Sequence, residues 1–385
     1  MKHWARLDSP KFTLAIVVIA YAVFLDLRLS KNDHDFSAFV TAGDLYVNPA
    51  TAPDNLRILR DSAGYDGQFY YRLALTPFTS ERSDLGITLD YPAYRQQRIV
   101  YPLLAWGLSL GQPGLVPVSL LVVNFLALCA IAWLGSKYAQ MVQLHAIWGL
   151  AFALFAGFLL ALSRDTAEIA EIGFLLGSAV CLRQNRQVLA AALLALAVLT
   201  KETALVTAFG ILIALAIRQK RTRSRTLWFP AITPILAYVL WQSWLNHIWN
   251  STSVTETTVS ANIGMPLVGL SHFVQSILPV GGHLQLVWLI ELLLAATFMM
   301  AVMWALHQSE APRLIKASWL LYVALMLSLT QAVWVEDWAF LRVLSEFYLL
   351  GIMILLESES RLRKLVFCES TVSWLLLGID VVKMR

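Results

Sequence analysis

The sequence predicts an all-α polytopic membrane protein of ten or eleven transmembrane helices with a long first extracytoplasmic loop. Three observations carry that expectation. Of 385 residues, 58% are hydrophobic and only 14% charged, against roughly 25% charged in soluble domains. The mean hydropathy of +0.64 comes from long apolar runs with the charges gathered between them, more apolar surface than a soluble core of this length encloses. The basic and acidic loops also alternate along the chain, as they do when successive loops face opposite sides of a bilayer.

The first apolar run, "FTLAIVVIAYAVFLDLRL" at 12–29, follows a basic start. The "AYA" at 20–22 has the small residues of a signal-peptidase site, but the run continues apolar beyond it and reads as an uncleaved anchor. Further spans are expected near 115–135, 144–162, 167–182, 187–200, 203–217, 227–245, 284–306, 314–334 and 338–356, with a weaker one at 366–382. Several fall short of the ~20 residues a crossing needs, so the range is ten or eleven. Residues 1–385 form a single transmembrane domain with two outer loops, 30–100 and 246–283. There is no internal repeat and no Gly-rich phosphate loop, which excludes a nucleotide-driven cytoplasmic enzyme. Cys129, Cys181 and Cys368 stand singly and read as packing residues.

The N-terminus, "SKYAQMVQLH", "LRQNRQ", "RQKRTRSRT", "HQSEAPRLIK" and "ESESRLRK" hold most of the unpaired basic charge and mark the cytoplasmic face. The formal charge of +4 is explained there, without a nucleic-acid partner. The opposite face receives 30–100, "LSRDTAEIAE", "LTKETAL", 246–283 and "VWVEDWAFLR", which carry nearly all the acids close to spans. Any chemistry is therefore expected there.

The loop 30–100 is longer than a connection requires, and loops of that length are functional more often than not when rich in apolar residues. "PDNLRILRD" and "DGQFYYRLAL" read as short amphipathic helices at the interface. Asp33 and Asp35 follow the first span, and Asp66 lies further on, beside Tyr65, Gln68 and Tyr70. A solvated acidic turn competes with a catalytic role for the first two, and helix capping competes for Asp66. Arg95 and Arg98 share one helical face as the chain re-enters the membrane. Paired guanidiniums there suit a phosphate, or ordinary headgroup contact.

"DHDFSAFVTAGDLY" resembles the Asp-x-Asp-aromatic element that follows the first span of GT-C glycosyltransferases, including the GPI mannosyltransferases. "YDGQFYY" with "YRQQRIVYPLL" is similar to bacterial members of that superfamily that form cell-surface glycopolymers. The resemblance implies transfer of a hexosyl or pentosyl group from a polyprenyl-phosphate sugar to a glycan or lipid acceptor, with an outer-loop aspartate as base, in the bacterial inner membrane with a periplasmic active face. Asp35 is the first candidate base and Asp66 the second, while Asp44 and Asp33 compete. Such chemistry needs one carboxylate to take the acceptor proton and cations, or a divalent metal, to stabilise the leaving phosphate. No further cofactor is required.

Outside the loop, "SRDTAEIAEIGF" sets Asp165, Glu168 and Glu171 at three-residue spacing. Charges in a bilayer cost ~2.5–3.5 kcal/mol each, so this stripe faces the protein interior. Acceptor hydroxyls or a metal would suit it. Lys201 beside Glu202, and Arg342 with Glu346 four residues on, read either as structural ion pairs or as donor-phosphate ligands. His272 lies in the second loop, whose histidines are too dispersed for a metal centre. Lys201, Arg342, Arg95 and Arg98 are the expected phosphate ligands. Asp33, Tyr65, Gln68, Tyr70, Asp165, Glu168, Glu202 and His272 are the expected substrate-binding residues. A transporter or flippase, or a polymerase or ligase of lipid-linked glycans, is the alternative. Transporters commonly show internal repeats and midplane sites, which this sequence lacks.

Overall fold

A computed structural model describes residues 8–217, 228–256, 262–335, 339–358 and 360–383. The basic stretch "RQKRTRSRT" and residues 336–338 of "VWVEDWAFLR" lie outside the described residues. Helix α1 spans Pro10–Lys31, with Ser9 as its cap and proline in the first turn, where no hydrogen bond is lost. The first outer loop follows. It contains a 3-10 turn at Phe36–Phe39, the short strands β1 (Ala42–Gly43), β2 (Ile58–Leu59), β3 (Ser83–Asp84) and β4 (Ile87–Thr88), and the helices α2 (Gly67–Leu75) and α3 (Pro92–Gln96). Then come α4 (Val100–Ser109), α5 (Val116–Met141), α6 (Gly149–Ala153), α7 (Gly157–Ser163), α8 (Glu168–Arg183), α9 (Gln187–Thr200) and α10 (Leu205–Ala216). The rest is α11 (Trp228–Trp249), α12 (Ser253–Glu256), α13 (Val268–Ile277), α14 (Gly282–Gln308), α15 (Arg313–Leu327), α16 (Gln331–Val335), α17 (Ala339–Val343), α18 (Ser345–Leu356) and α19 (Ser360–Lys383).

This is an all-α polytopic membrane fold, and each apolar segment expected from the sequence is largely helical. Among the described residues, Pro10–Lys31, Val116–Met141, Gln285–Gln308 and Arg361–Lys383 are long and apolar enough to cross a bilayer. A fifth crossing of that kind is bent by 58° between Ala146–Ala153 and Gly157–Ser163. Val100–Ser109, Gln187–Thr200, Glu202–Ala216 and Ser345–Leu356 are apolar but shorter. Two of these segments are parted at Lys201, which interrupts the helical path between Thr200 and Glu202, and a break lets a charged side chain turn inward toward partners.

One expected interfacial helix is absent. Residues 53–61 form turns around a short strand, Ile58–Leu59, which pairs in parallel with Ala42–Gly43. The Asp44 carboxylate explains this, because it accepts hydrogen bonds from the backbone N–H groups of Asp61 (2.9 Å) and Ser62 (3.0 Å). Those bonds, Ser62 first, hold its carboxyl below the usual range. The other expected loop helix, "DGQFYYRLAL", forms as α2.

The loops sort into the two groups that their charge predicts. At one end Asp8 accepts from the Ala146 N–H (2.7 Å), Arg183 pairs with Glu357, and Tyr138 donates to Glu357 (2.6 Å). At the other end residues from 66–98, 168–171, 201–203, 256 and 342–346 meet. The largest apolar cluster fills the space between them, with Phe152, Phe158, Trp319 and Phe340 wholly buried.

Candidate active site

Helix α2 delivers the central carboxylate. All nine of its residues are buried, which fixes the helix against the bundle. Gln68 fastens its start to the loop, accepting from the Gly43 N–H (3.1 Å) and donating to the Ala63 carbonyl (2.8 Å). Gly67 allows the closest approach. A Cβ there would lie 2.5 Å from the Arg164 carbonyl oxygen and 2.6 Å from that of Val40. The carboxylate of Asp66, just before it, makes no capping hydrogen bond to α2. It is turned instead toward cations.

Asp66 Oδ1 lies 2.6 Å from Arg95 Nη1 and Oδ2 lies 3.2 Å from Arg342 Nη1. One carboxylate therefore joins a loop arginine to a bundle arginine. Arg95 also grips Asp90 through Nε (2.8 Å) and Nη2 (2.7 Å), and its guanidinium lies 4.0 Å over the Phe69 ring. Arg342 donates to Glu168 Oε1 (2.9 Å) and the Tyr65 hydroxyl (3.2 Å). Burial pushes the Asp66 carboxyl upward, but Arg95 and Arg342, with Arg98 behind them, outweigh it and hold the group well below the usual carboxylate range.

A second layer lies beneath. Arg98 forks onto Glu202 through Nε (2.8 Å) and Nη2 (2.6 Å). Lys201 Nζ is surrounded by Glu346 (3.6 Å), Glu171 (3.7 Å) and Glu168 (3.8 Å). Thr203 donates to Glu346, and Tyr322 donates to the Thr203 carbonyl (2.9 Å). Glu168 thus couples Arg342 to Lys201. The sequence-adjacent pairings do not form: Glu202 goes to Arg98 rather than Lys201, and Glu346 to Lys201 rather than Arg342.

The sequence pattern of Glycosyltransferase family 87 matches residues 100–330, more than half of the chain. The chain belongs to glycosyltransferase family 87. This is a membrane GT-C-type family, in agreement with the resemblance read from the first loop. No curated protein and no solved structure matches the chain. The family 87 match holds Glu168, Glu171, Lys201 and Glu202, while Asp66, Arg95 and Arg98 precede it and Arg342 follows it.

Of the residues singled out in the sequence of this family 87 glycosyltransferase, Tyr65, Asp66, Arg95, Arg98, Glu168, Lys201, Glu202 and Arg342 meet in this cluster. Tyr70 packs edge-on against Tyr101 beside it (5.3 Å between centroids). Gln68 spends both ends of its amide on the loop backbone. Asp35 caps the Phe36–Phe39 turn, with one oxygen accepting from the Ser37 N–H (2.8 Å). That turn runs into Val40, whose carbonyl abuts Gly67. Asp33 is exposed with a left-handed φ of 56°. Asp165 is fully buried, at φ 46°, and neither carboxylate oxygen has a hydrogen-bond partner. His272 lies on the exposed side of α13, beside Gly264, Thr330 and Gln331.

Glu171 and Glu346, noted in the sequence beside Glu168 and Arg342, complete the cluster around Lys201, and Asp90 and Phe69 join it at Arg95 without having been expected. Glu171 is visible as the third acid of the 165–171 stripe. Asp90 lies five residues before Arg95, a spacing that signals no helical contact. Among the described residues no group of three His, Cys, Asp or Glu is arranged to hold a metal ion.

Proposed function

We propose that this membrane glycosyltransferase moves a sugar from a polyprenyl-phosphate donor to a glycan or lipid acceptor on the extracytoplasmic face of a bacterial inner membrane, in the formation of cell-surface polysaccharide or glycopolymer. The observation that carries the reading is the carboxylate of Asp66 suspended between Arg95 and Arg342. Two guanidiniums that converge on one small anion at a loop–bundle junction are suited to a phosphate. Arg98 and Lys201 add positive charge behind them. Tyr65, Tyr70 and Glu202 line the approach, with Asp165 and Glu168 below. Asp33 and His272, both exposed, are assigned to acceptor binding, and Gln68 shapes the loop.

Asp35 is the base. Its turn ends against Gly67, and only one of its oxygens is used in capping. The acceptor hydroxyl attacks the anomeric carbon, and Asp35 takes the hydroxyl proton. The bond from the anomeric carbon to the phosphate oxygen breaks, and polyprenyl phosphate leaves with the electron pair. The arginines stabilise the charge gathering on it. No second carboxylate is needed as acid, because the phosphate leaves without protonation, unlike the leaving group in glycoside hydrolysis. The extracytoplasmic side follows from the basic loops at the other end of the bundle.

The test is release of polyprenyl phosphate from a panel of radiolabelled lipid-linked sugars, with acceptor-containing extracts, in membranes bearing wild type or Asp35→Asn. Sugar-selective release that disappears in the variant supports both the reaction and the base. Release surviving the substitution moves the base elsewhere, and none from any donor removes the donor class.

A further inference from the structure

The charges of the cluster do not leave room for an added anion. Among the described residues, four cations, Arg95, Arg98, Lys201 and Arg342, have six carboxylates within ion-pair distance, Asp66, Asp90, Glu168, Glu171, Glu202 and Glu346, and a fifth cation, Arg164, lies 4.5 Å over the Tyr65 ring beside them. A phosphate therefore enters by exchange with a carboxylate. Resting on the donor reading above, we infer that Asp66 is an internal stand-in for the donor phosphate: its carboxylate holds the Arg95–Arg342 site closed, and the phosphate displaces it on binding.

The geometry selects Asp66 among the six. Asp90 and Glu202 are each held by a two-point fork on a single arginine, at 2.6–2.8 Å. Such forks are the harder pairs to break. Glu168, Glu171 and Glu346 have side chains no more than 3% exposed, so a ligand arriving from outside does not reach them first. Asp66 is 21% exposed and gives one oxygen to each arginine, the second at 3.2 Å. It also spans two cations from different parts of the fold, as a tetrahedral phosphate with several free oxygens does. Its backbone precedes α2 without a side-chain cap, so leaving the arginines sacrifices no helix-capping bond.

The two uses of the guanidinium edges are mutually exclusive. Both Nη1 protons of Arg342 are engaged, one by Asp66 and one by Glu168. A ligand that must first displace an internal group binds with an affinity lowered by the fraction of time the site is open. Neutralising that group removes the penalty. A residue that merely builds the site does the reverse when it is removed. The sign of the effect separates the two roles.

The experiment measures binding of farnesyl phosphate to the full-length protein in detergent, for wild type, Asp66→Asn, Asp66→Ser and Arg95→Gln. The expected result is a Kd about tenfold lower in both Asp66 variants, matching a site open about a tenth of the time, with weaker binding in Arg95→Gln. Unchanged or weaker binding in folded Asp66 variants, with wild type still binding, overturns the stand-in and leaves the donor reading intact. No binding to any of the four forms overturns the donor reading, and this inference falls with it. Should the Asp66 variants not fold, the wild-type protein labelled with 13C-aspartate is examined by infrared difference spectroscopy on adding farnesyl phosphate. A shifted aspartate carboxylate band is expected as the guanidiniums let go, and an unshifted band refutes the exchange.

Discussion

Arg342 Nη1 donates to Glu168 Oε1 at 2.9 Å across 174 residues of chain, and both side chains are buried. Breaking one side of such a pair strands a charge, which costs about 3–5 kcal/mol, whereas the intact pair adds far less stability than that. Arg342→Met is expected to lower the thermal midpoint in detergent markedly, and Arg342→Met with Glu168→Gln to recover much of it. A double variant as unstable as the single one would mean that the two residues are not a unit.

Lys201 is the only cation within ion-pair distance of Glu171 or Glu346 among the described residues. Lys201→Met leaves three buried acids around an apolar tip. We expect destabilisation of about 3–5 kcal/mol, partly rescued by Glu346→Gln in a double-mutant cycle. Rescue by an equally conservative change at Glu202, which belongs to Arg98, is not expected.

Asp35→Asn isolates chemistry from folding. Asparagine caps a helical turn about as well as aspartate, so the Phe36–Phe39 turn survives. Loss of a general base typically lowers turnover by about 10²–10⁴-fold. Transfer assayed beside the variant's thermal midpoint is expected to show the first falling and the second holding.

Asp66 sets a pH window. Its folded pKa is depressed, so it binds its proton more weakly in the folded than in the unfolded chain. Its stabilising contribution is then fully present above the ordinary aspartate value of about 3.9 and is lost as pH falls through the depressed one. The difference in thermal midpoint between wild type and Asp66→Asn is expected to stay constant from about pH 7 to 5 and to narrow only below about pH 4. A difference that closes near pH 6 would show that Asp66 is not held by the arginines.

Gly67→Ala tests the packing that presents Asp66. The added Cβ meets two backbone carbonyl oxygens at 2.5 and 2.6 Å, and neither can swing aside as a flexible side chain does. Helix α2 must shift, and misplacement by about 1 Å costs on the order of 10²-fold in rate. Alanine at Gly107, where nothing lies within 4 Å, is the control and should leave transfer unchanged.

Much of this fold was legible in the amino-acid order because the bilayer allows few solutions. Apolar runs become helices, and charge alternation sorts their ends. The helical turns of α2 were likewise readable, but the helical face expected to carry Arg95 and Arg98 is not there: α3 ends at Gln96 and Arg98 lies in the link before α4. What each charge pairs with was not readable either. Arg95 and Arg98 leave one short stretch for different partners, Asp66 with Asp90 and Glu202. Glu346 looks like the helical neighbour of Arg342, but a break after α17 turns it toward Lys201. Residues 53–61 looked amphipathic, yet Asp44 fastens the turn at Asp61 and Ser62 and Ile58–Leu59 pairs as a strand. Such outcomes depend on tertiary partners, from Asp44 only 17 residues before Asp61 to Glu202 104 residues beyond Arg98.

The clasp between Asp66 and Arg342 joins positions 276 residues apart. It closes the chain into a ring whose circumference includes the entire stretch by which the family is recognised. Opened between α10 and α11, that ring becomes two pieces with unequal inheritances. The first carries Asp66, Arg95, Arg98, Glu168 and Lys201, and the second carries Arg342 and Glu346. Neither piece holds a whole cluster. Two separately synthesised halves therefore regain it only by reassembly, which makes glycosyl transfer by a split chain a direct readout of whether the halves have found each other.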